Sequence, residues 1–158
     1  MGETLLDRSV KVAKEIGKEV LVVGKFEPVR KHPGVRWVRE PFEEYAPLYG
    51  IFTALKEARF KKVLFLPGDA PLIKERVLRY ISQQPFPAFV EGNFLHCLLF
   101  KENLFLVEEL LRKGEFRVRE LLKRAKAREI KRKELKTFDY KGLSFKNVNT
   151  VKDYWEIL

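Results

Sequence analysis

The sequence holds one cysteine, one methionine and two histidines in 158 residues. A lone thiol, Cys97, cannot close an intramolecular disulfide or build a Cys-rich zinc site. No stretch approaches the ~20 apolar residues of a membrane-spanning helix. The start, Met1-Gly2-Glu3-Thr4-Leu5-Leu6, has neither a basic opening nor an apolar run for export. A membrane partner is therefore not expected, and the expected location is the cytoplasm. G-x-G-x-x-G, G-x-x-x-x-G-K-[ST], H-E-x-x-H, G-x-S-x-G and C-x-x-C do not occur. Their absence argues against a Rossmann dehydrogenase, a P-loop NTPase, a zincin and an α/β-hydrolase. There are no repeats and no low-complexity linker.

What the chain does have is charge and apolar mass. It is 34% charged and 46% hydrophobic, with a net charge of +10. This length fits one domain spanning residues 1–158. A chain of this size buries roughly 68–70% of its unfolded surface and needs no disulfide or metal to fold. Between Arg112 and Lys136, twelve Lys and Arg stand against four Glu. That excess favours anionic partners, although a solvated helix face is the commoner reason for such a run. Nucleic acid is not the expected partner. Scarce Asn, Gln, Met and Cys beside many Lys and Glu also fit a heat-adapted protein.

Helical spacing of Leu5, Leu6, Ser9, Val12, Ala13 and Ile16 predicts a helix over 4–16, stopped by Gly17. The apolar runs 19–24 and 62–67 predict strands buried on both faces, as in parallel sheets. A short strand is expected at 35–38 and helices at 51–58 and 73–83. Two short strands follow near 88–90 and 95–100, with Gly92-Asn93 between them as a hairpin signal. Further helices are expected at 102–112, 116–125 and 151–158. The alternation of strands and helices predicts an α/β domain with a mostly parallel sheet. Ligands of such sheets bind beyond the carboxyl ends of the strands, which points to Gly24, Asp69 and their loops.

Asp69 closes an apolar strand in Leu66-Pro67-Gly68-Asp69-Ala70-Pro71. A carboxylate there can hold a hard cation such as Mg²⁺, which bridges phosphate oxygens. On the residues alone it reads more simply as a turn aspartate that caps the next helix. Asn147 and Asn149 place two amides on one side of an extended segment, suited to a ligand or to a turn with a cap. His96 could contact phosphate but reads more simply as a structural histidine, and Cys97 as a core residue. Glu40, Glu43 and Glu44 supply carboxylates without fixed geometry. Phe116, Phe138, Tyr140 and Phe145 could stack bases, but 13 Phe in one chain must mostly be packed.

The order of these segments resembles the molybdenum cofactor guanylyltransferases, the molybdopterin-guanine dinucleotide biosynthesis protein A family. Gly2 to Arg8 looks like the family's G-x-x-L-L-x-R helix start, and Val20 to Gly24 like its second strand. Ala46 to Leu55 is similar to G-P-L-x-G-I-x-x-A-L, with Ala46 for the first glycine and a bulky Tyr49. Leu66 to Pro71 matches the L-P-x-D-x-P metal turn. Leu95 to Phe100 resembles the H-P-L strand without its proline, and Gly114 to Leu122 a G-x-x-x-x-x-x-L-L stretch. Asn147 to Asp153 matches N-x-N-T-x-x-D.

The resemblance implies a three-layer, Rossmann-like nucleotidyltransferase fold. It implies GMP transfer from GTP to molybdopterin with release of pyrophosphate. Asp69 would hold Mg²⁺, Glu40 and Gly50 would lie near the nucleotide, and Asn147 and Asn149 on the metal and pterin side. Other molybdenum-cofactor maturation proteins are the implied partners. The family opens with a strand and a glycine-rich loop, L-A-G-G-x-S-x-R-M-G-x-D-K, which cradles the triphosphate. The sequence begins at the helix that follows this unit. The first strand of the sheet is therefore expected to be lacking, leaving a gap or an exposed edge. An incomplete chain, or a partner that fills the gap, would account for this. The remaining alternatives are a non-catalytic remnant or adaptor that uses the basic segment, and a nucleotidyltransferase with another phosphate acceptor.

Overall fold

The computed structural model describes residues 4–28, 30–69, 72–139 and 141–145. Helix α1 (Leu5–Ile16) begins on Thr4, whose hydroxyl accepts from the Asp7 amide at 3.0 Å. The Asp7 carboxylate returns the bond to the Thr4 amide at 2.8 Å. This reciprocal cap satisfies two donors that a helix start otherwise leaves free. Strands β1 (Val20–Gly24) and β2 (Val35–Arg39) follow and pair in parallel. Helix α2 (Pro47–Glu57) starts one turn earlier than the sequence suggests. Its opening proline has no amide to lose there and a φ already set for a helix.

Strand β3 (Lys62–Phe65) leads through the Asp69 turn to α3 (Glu75–Ser82). Strands β4 (Ala88–Val90) and β5 (Asn93–Phe100) form the expected hairpin. Gly92 takes φ +75° at its tip, a conformation that glycine adopts without a Cβ clash. A single 3-10 turn precedes α4 (Leu104–Arg112), and α5 (Val118–Arg124) follows. Strand β6 (Arg128–Ile130) is not foreseen by the sequence pattern. It has three residues and only one buried side chain, too few to show a period. The expected helix at 151–158, and Asn147 and Asn149, lie outside the described residues.

The strands form two sheets among the described residues, β1-β2 and β3-β5-β4-β6. In the second sheet β5 runs antiparallel to β3 and β4, and β6 pairs in parallel with β4. Thus β3, β4 and β6 point one way and β5 alone is reversed, so the sheet is mostly parallel in direction. Helices cover both faces. Leu98 and Phe100 of β5 join Val77, Leu78 and Ile81 of α3 in one core, with Val12 and Ile16 of α1 packed against it. Cys97 and Leu99 face the other way, onto Leu48 and Leu55 of α2, Val107 of α4 and Leu121 of α5. The layers are helix, sheet, helix, as expected.

One expectation fails. Strands β1 and β3 carry the most continuous apolar runs, yet their residues are half-buried at best, while the last five residues of β5 are fully buried. The reason is lateral. Each of these strands has a strand neighbour on one edge only, among the described residues. The basic run is not one helical face either. It divides among the end of α4, α5, β6 and the 3-10 turn Arg132–Leu135. Several of its charges are paired: Arg117 with Glu115, Arg124 with Glu109, Arg128 with Glu134, and Lys131 with Glu91.

Candidate functional site

An elongated groove of about 780 Å³ separates β1 from β3. Its banks are Val20 to Val23 on one side and Lys62 to Leu66 on the other. Val10 and Ala13 of α1 and Leu78 of α3 line one face, and Ile51 and Ala54 of α2 the other. At one end lie Pro47, Gly50, Pro67 and Gly68, beyond the carboxyl ends of the strands. That is where ligands bind in α/β sheets.

Two of the residues singled out from the sequence meet at this end. Glu40 follows β2, and its amide donates to the Gly24 carbonyl at 2.8 Å, which ties it to the end of β1. A Cβ on Gly50 would stand 3.7 Å from Glu40 Oε2. The glycine therefore lets the first turn of α2 run beside the carboxylate, and any branched side chain would point into it. No side chain caps α2 at Ala46, and its first turn holds no acidic residue. The partial positive charge of the helix start stays on the side that Glu40 faces.

Lys25 is the residue that sequence reasoning missed. Its Nζ lies 3.5 Å from Glu40 Oε1, both side chains being largely covered. It also donates to the Phe42 carbonyl and sits 4.8 Å from the Tyr45 ring centre. A smaller pocket of about 290 Å³ is lined by Lys25, Glu40, Tyr45, Ala46 and Pro47. The signal was available: a lysine directly after the glycine that closes an apolar run stands at a strand's carboxyl end, where ligands of α/β sheets bind. Tyr49, bulky where the family has a small residue, is accommodated by stacking on Phe42 at 4.1 Å.

Asp69 lies half-buried in the turn after β3, directly after Pro67 and Gly68, which line the groove. The neighbouring Gly68 packs against α1, where Leu6 Cδ1 would be 3.7 Å from a Cβ at that position. The structure thus brings Glu40 and Gly50 together, while Asp69 follows the end of β3, the strand on the other bank of the groove. Among the described residues no three His, Cys, Asp or Glu side chains converge as a metal cage. A single carboxylate still suits Mg²⁺, which binds through one or two carboxylates plus substrate phosphates.

The other candidates are taken by packing. Phe116 tilts against Tyr49 at 5.5 Å, Phe138 against Tyr80 at 5.4 Å, and Phe145 meets the His96 ring edge-on at 5.0 Å.

A helix-covered, mostly parallel sheet with a groove beyond its strands' carboxyl ends defines a three-layer α/β protein of the ligand-binding kind. The chain belongs to the MobA-like NTP transferase domain family, whose model matches residues 1–130. It is 31% identical over 163 aligned positions to a protein of Aquifex aeolicus (strain VF5) named "Probable molybdenum cofactor guanylyltransferase". That match covers 99% of this chain and 78% of the relative. A protein of the same name from Pelotomaculum thermopropionicum is 27% identical, over 96% of this chain and 77% of its own length. A crystal structure of a protein from Aquifex aeolicus VF5 superposes with a TM-score of 0.79 and 29% identity, covering 92% of this chain and 79% of that one. Molybdopterin-guanine dinucleotide biosynthesis protein A from Archaeoglobus fulgidus shares the fold, with a TM-score of 0.66 and 19% identity. That superposition covers 77% of this chain and 65% of that one.

Proposed function

We propose that this chain serves guanylyl transfer, moving GMP from GTP to molybdopterin with release of pyrophosphate. The observation that carries this reading is the half-buried Asp69 in the turn that follows β3, next to Pro67 and Gly68, which line the strand-end of the groove together with Gly50. In the reaction a terminal phosphate oxygen of molybdopterin bonds to the α-phosphorus of GTP. The bond from that phosphorus to the oxygen bridging to the β-phosphate breaks, and pyrophosphate leaves. Such a transfer is mostly positioning and charge neutralisation. Mg²⁺, when held by Asp69, supplies neutralisation of phosphate charge.

The remaining work falls to the chain. Gly50 keeps the first turn of α2 open beside the nucleotide. Glu40 is fixed by Lys25 and the Gly24 carbonyl, so its second oxygen is left to accept hydrogen bonds from a base or ribose. Asn147 and Asn149 are proposed for the metal and pterin side. The basic residues of 112–136 favour the approach of polyanionic substrates by raising their local concentration.

The test is transfer of label from α-labelled GTP to molybdopterin with magnesium present. Asp69→Asn should lower the rate by ~10²–10³, the loss typical when one stabilising group of a charged transition state is removed. No transfer by the wild-type chain, together with no heat on titrating it with GTP and magnesium, would overturn the proposal.

A further inference from the structure

The Asp69 turn runs from β3 into α3, and α3 does not secure its own start. Lys74 holds the N-cap position with extended dihedrals, φ −91° and ψ 141°, and its side chain makes no capping bond. A helix start leaves amides that need partners from elsewhere. Here one partner comes from 70 positions away: the Lys74 amide donates to the Ser144 hydroxyl oxygen at 3.0 Å. Ser144 is in turn held by Asp139, whose Oδ2 accepts from the Ser144 amide at 3.1 Å. Asp139 Oδ1 lies 3.9 Å from Lys74 Nζ, and the carboxylate is only 1% exposed. The circuit therefore closes on the residue where it began.

This clasp is anchored to the sheet. Phe145, beside Ser144 in the Leu143–Phe145 turn, is buried edge-on to His96 of β5. The Gly142 amide donates to the Asp139 carbonyl at 3.0 Å, with Gly142 at φ +67°, which brings the chain back toward Asp139. Burying a carboxylate and a hydroxyl costs free energy unless both are bonded. Apolar side chains would fill this position without that cost. What the polar groups add is one fixed register between two segments. Asp69 stands five residues before Lys74, and Asn147 three residues after Ser144.

We propose that Ser144 and Asp139 are positioning residues for the metal and pterin side of the site. Through the Lys74 amide they hold the Asp69 turn in register with the segment that leads into Asn147 and Asn149. Neither touches substrate; each acts through the backbone it fixes. This role rests on the guanylyl-transfer reading and adds to it the groups that keep two separate segments of the site together. Glu40 and Gly50, on the nucleotide side, take no part in the clasp, since their contacts are with each other, Gly24 and Lys25. That asymmetry makes the role measurable. A loosened clasp weakens metal and molybdopterin and spares GTP, whereas a mere loss of folded protein lowers every rate alike and moves no binding constant.

The experiment compares the 158-residue chain with Ser144→Ala, Asp139→Ala and Asp139→Asn. Mn²⁺, a spectroscopic stand-in for Mg²⁺, is titrated with GTP present and molybdopterin absent, and read by water-proton relaxation. Both alanine variants should bind it about tenfold more weakly, the low end of losses when a group that orients a metal ligand is removed. In transfer assays they should raise the KM for molybdopterin about tenfold and leave the KM for GTP unchanged. Asp139→Asn keeps a carbonyl oxygen for the Ser144 amide and should return both constants to within about twofold of wild type. Lys74 amide exchange in ¹⁵N-labelled Ser144→Ala should quicken about tenfold, reporting the lost bond directly. Should Asp139→Ala not fold, Ser144→Ala, which loses only a hydroxyl, carries the comparison. Leu55→Ala, in the opposite core, shows what lost stability alone does. Alanine variants that behave like Leu55→Ala, with transfer and constants otherwise intact, overturn this role alone, as does Asp139→Asn behaving like Asp139→Ala. No transfer by the wild-type chain overturns guanylyl transfer, and this role with it.

Discussion

His96 and Cys97 are adjacent in β5 and face opposite cores. The His96 ring is 2% exposed, lies edge-on to Phe145 at 5.0 Å, and shares that ring with the Arg132 guanidinium, 4.6 Å from its centre. Burial, and then the Arg132 charge, push its pKa down to about 4. The unfolded chain binds a proton near pH 6.5, whereas the native chain does so only near its lowered value. Unfolded chain therefore holds more protons between these limits, and stability falls as pH falls through that window. The loss amounts to something on the order of 3 kcal/mol by pH 4. Urea midpoints between pH 7 and 4 measure it, and His96→Leu should flatten that part of the profile. Cys97, on the other face, is pushed up to about 12 by burial, which fits the core role expected of it. Its sequence neighbours show a strand, but only the register with β3 and β4 tells which core each side chain enters.

At the scale of the element, the α1 cap was legible in part. Helical spacing marks the start near Thr4, but the return bond from Asp7 depends on where that carboxylate is held. His32 approaches Asp7 Oδ1 at 2.9 Å and Arg30 approaches Oδ2 at 3.2 Å, both from the loop between β1 and β2. The Thr4 amide bond leads in lowering the Asp7 pKa. The contribution of this carboxylate is present above the ordinary Asp range and fades as pH falls through its lowered pKa. Thr4→Ala removes the hydroxyl acceptor and should cost about 1 kcal/mol in urea unfolding, with no change in the denaturant slope. The same loop explains why Lys25 and Glu40 escaped pairing by sequence. They stand 15 positions apart, and only the parallel register of β1 with β2 puts both at one end of the pair.

Across the whole molecule, α2 is the element that spans the divided sheet. It contacts β1 and β2 on one side and β3 on the other. Leu55, fully buried on α2, packs in the core shared with β5, α4 and α5. Leu55→Ala should cost about 2–5 kcal/mol. Near-UV and far-UV signals should still fall together, because loosening α2 releases both sheets at once; separate transitions would show that the sheets unfold independently.

The sequence by itself marked the described helices and every described strand but β6, and with them the α/β class. Apolar runs, helix spacing and the Gly92 turn are local signals, and each reflects a local energy. It also marked Asp69 at a strand's end, because a carboxylate after an apolar run stands out without any knowledge of its neighbours. Tertiary structure alone decided that the most strand-like runs, β1 and β3, are half-buried, that Glu40 meets Gly50 and Lys25, and that a groove separates β1 from β3. Burial and pairing depend on which strand lies alongside. That is a property of the assembled sheet, which no window of residues contains.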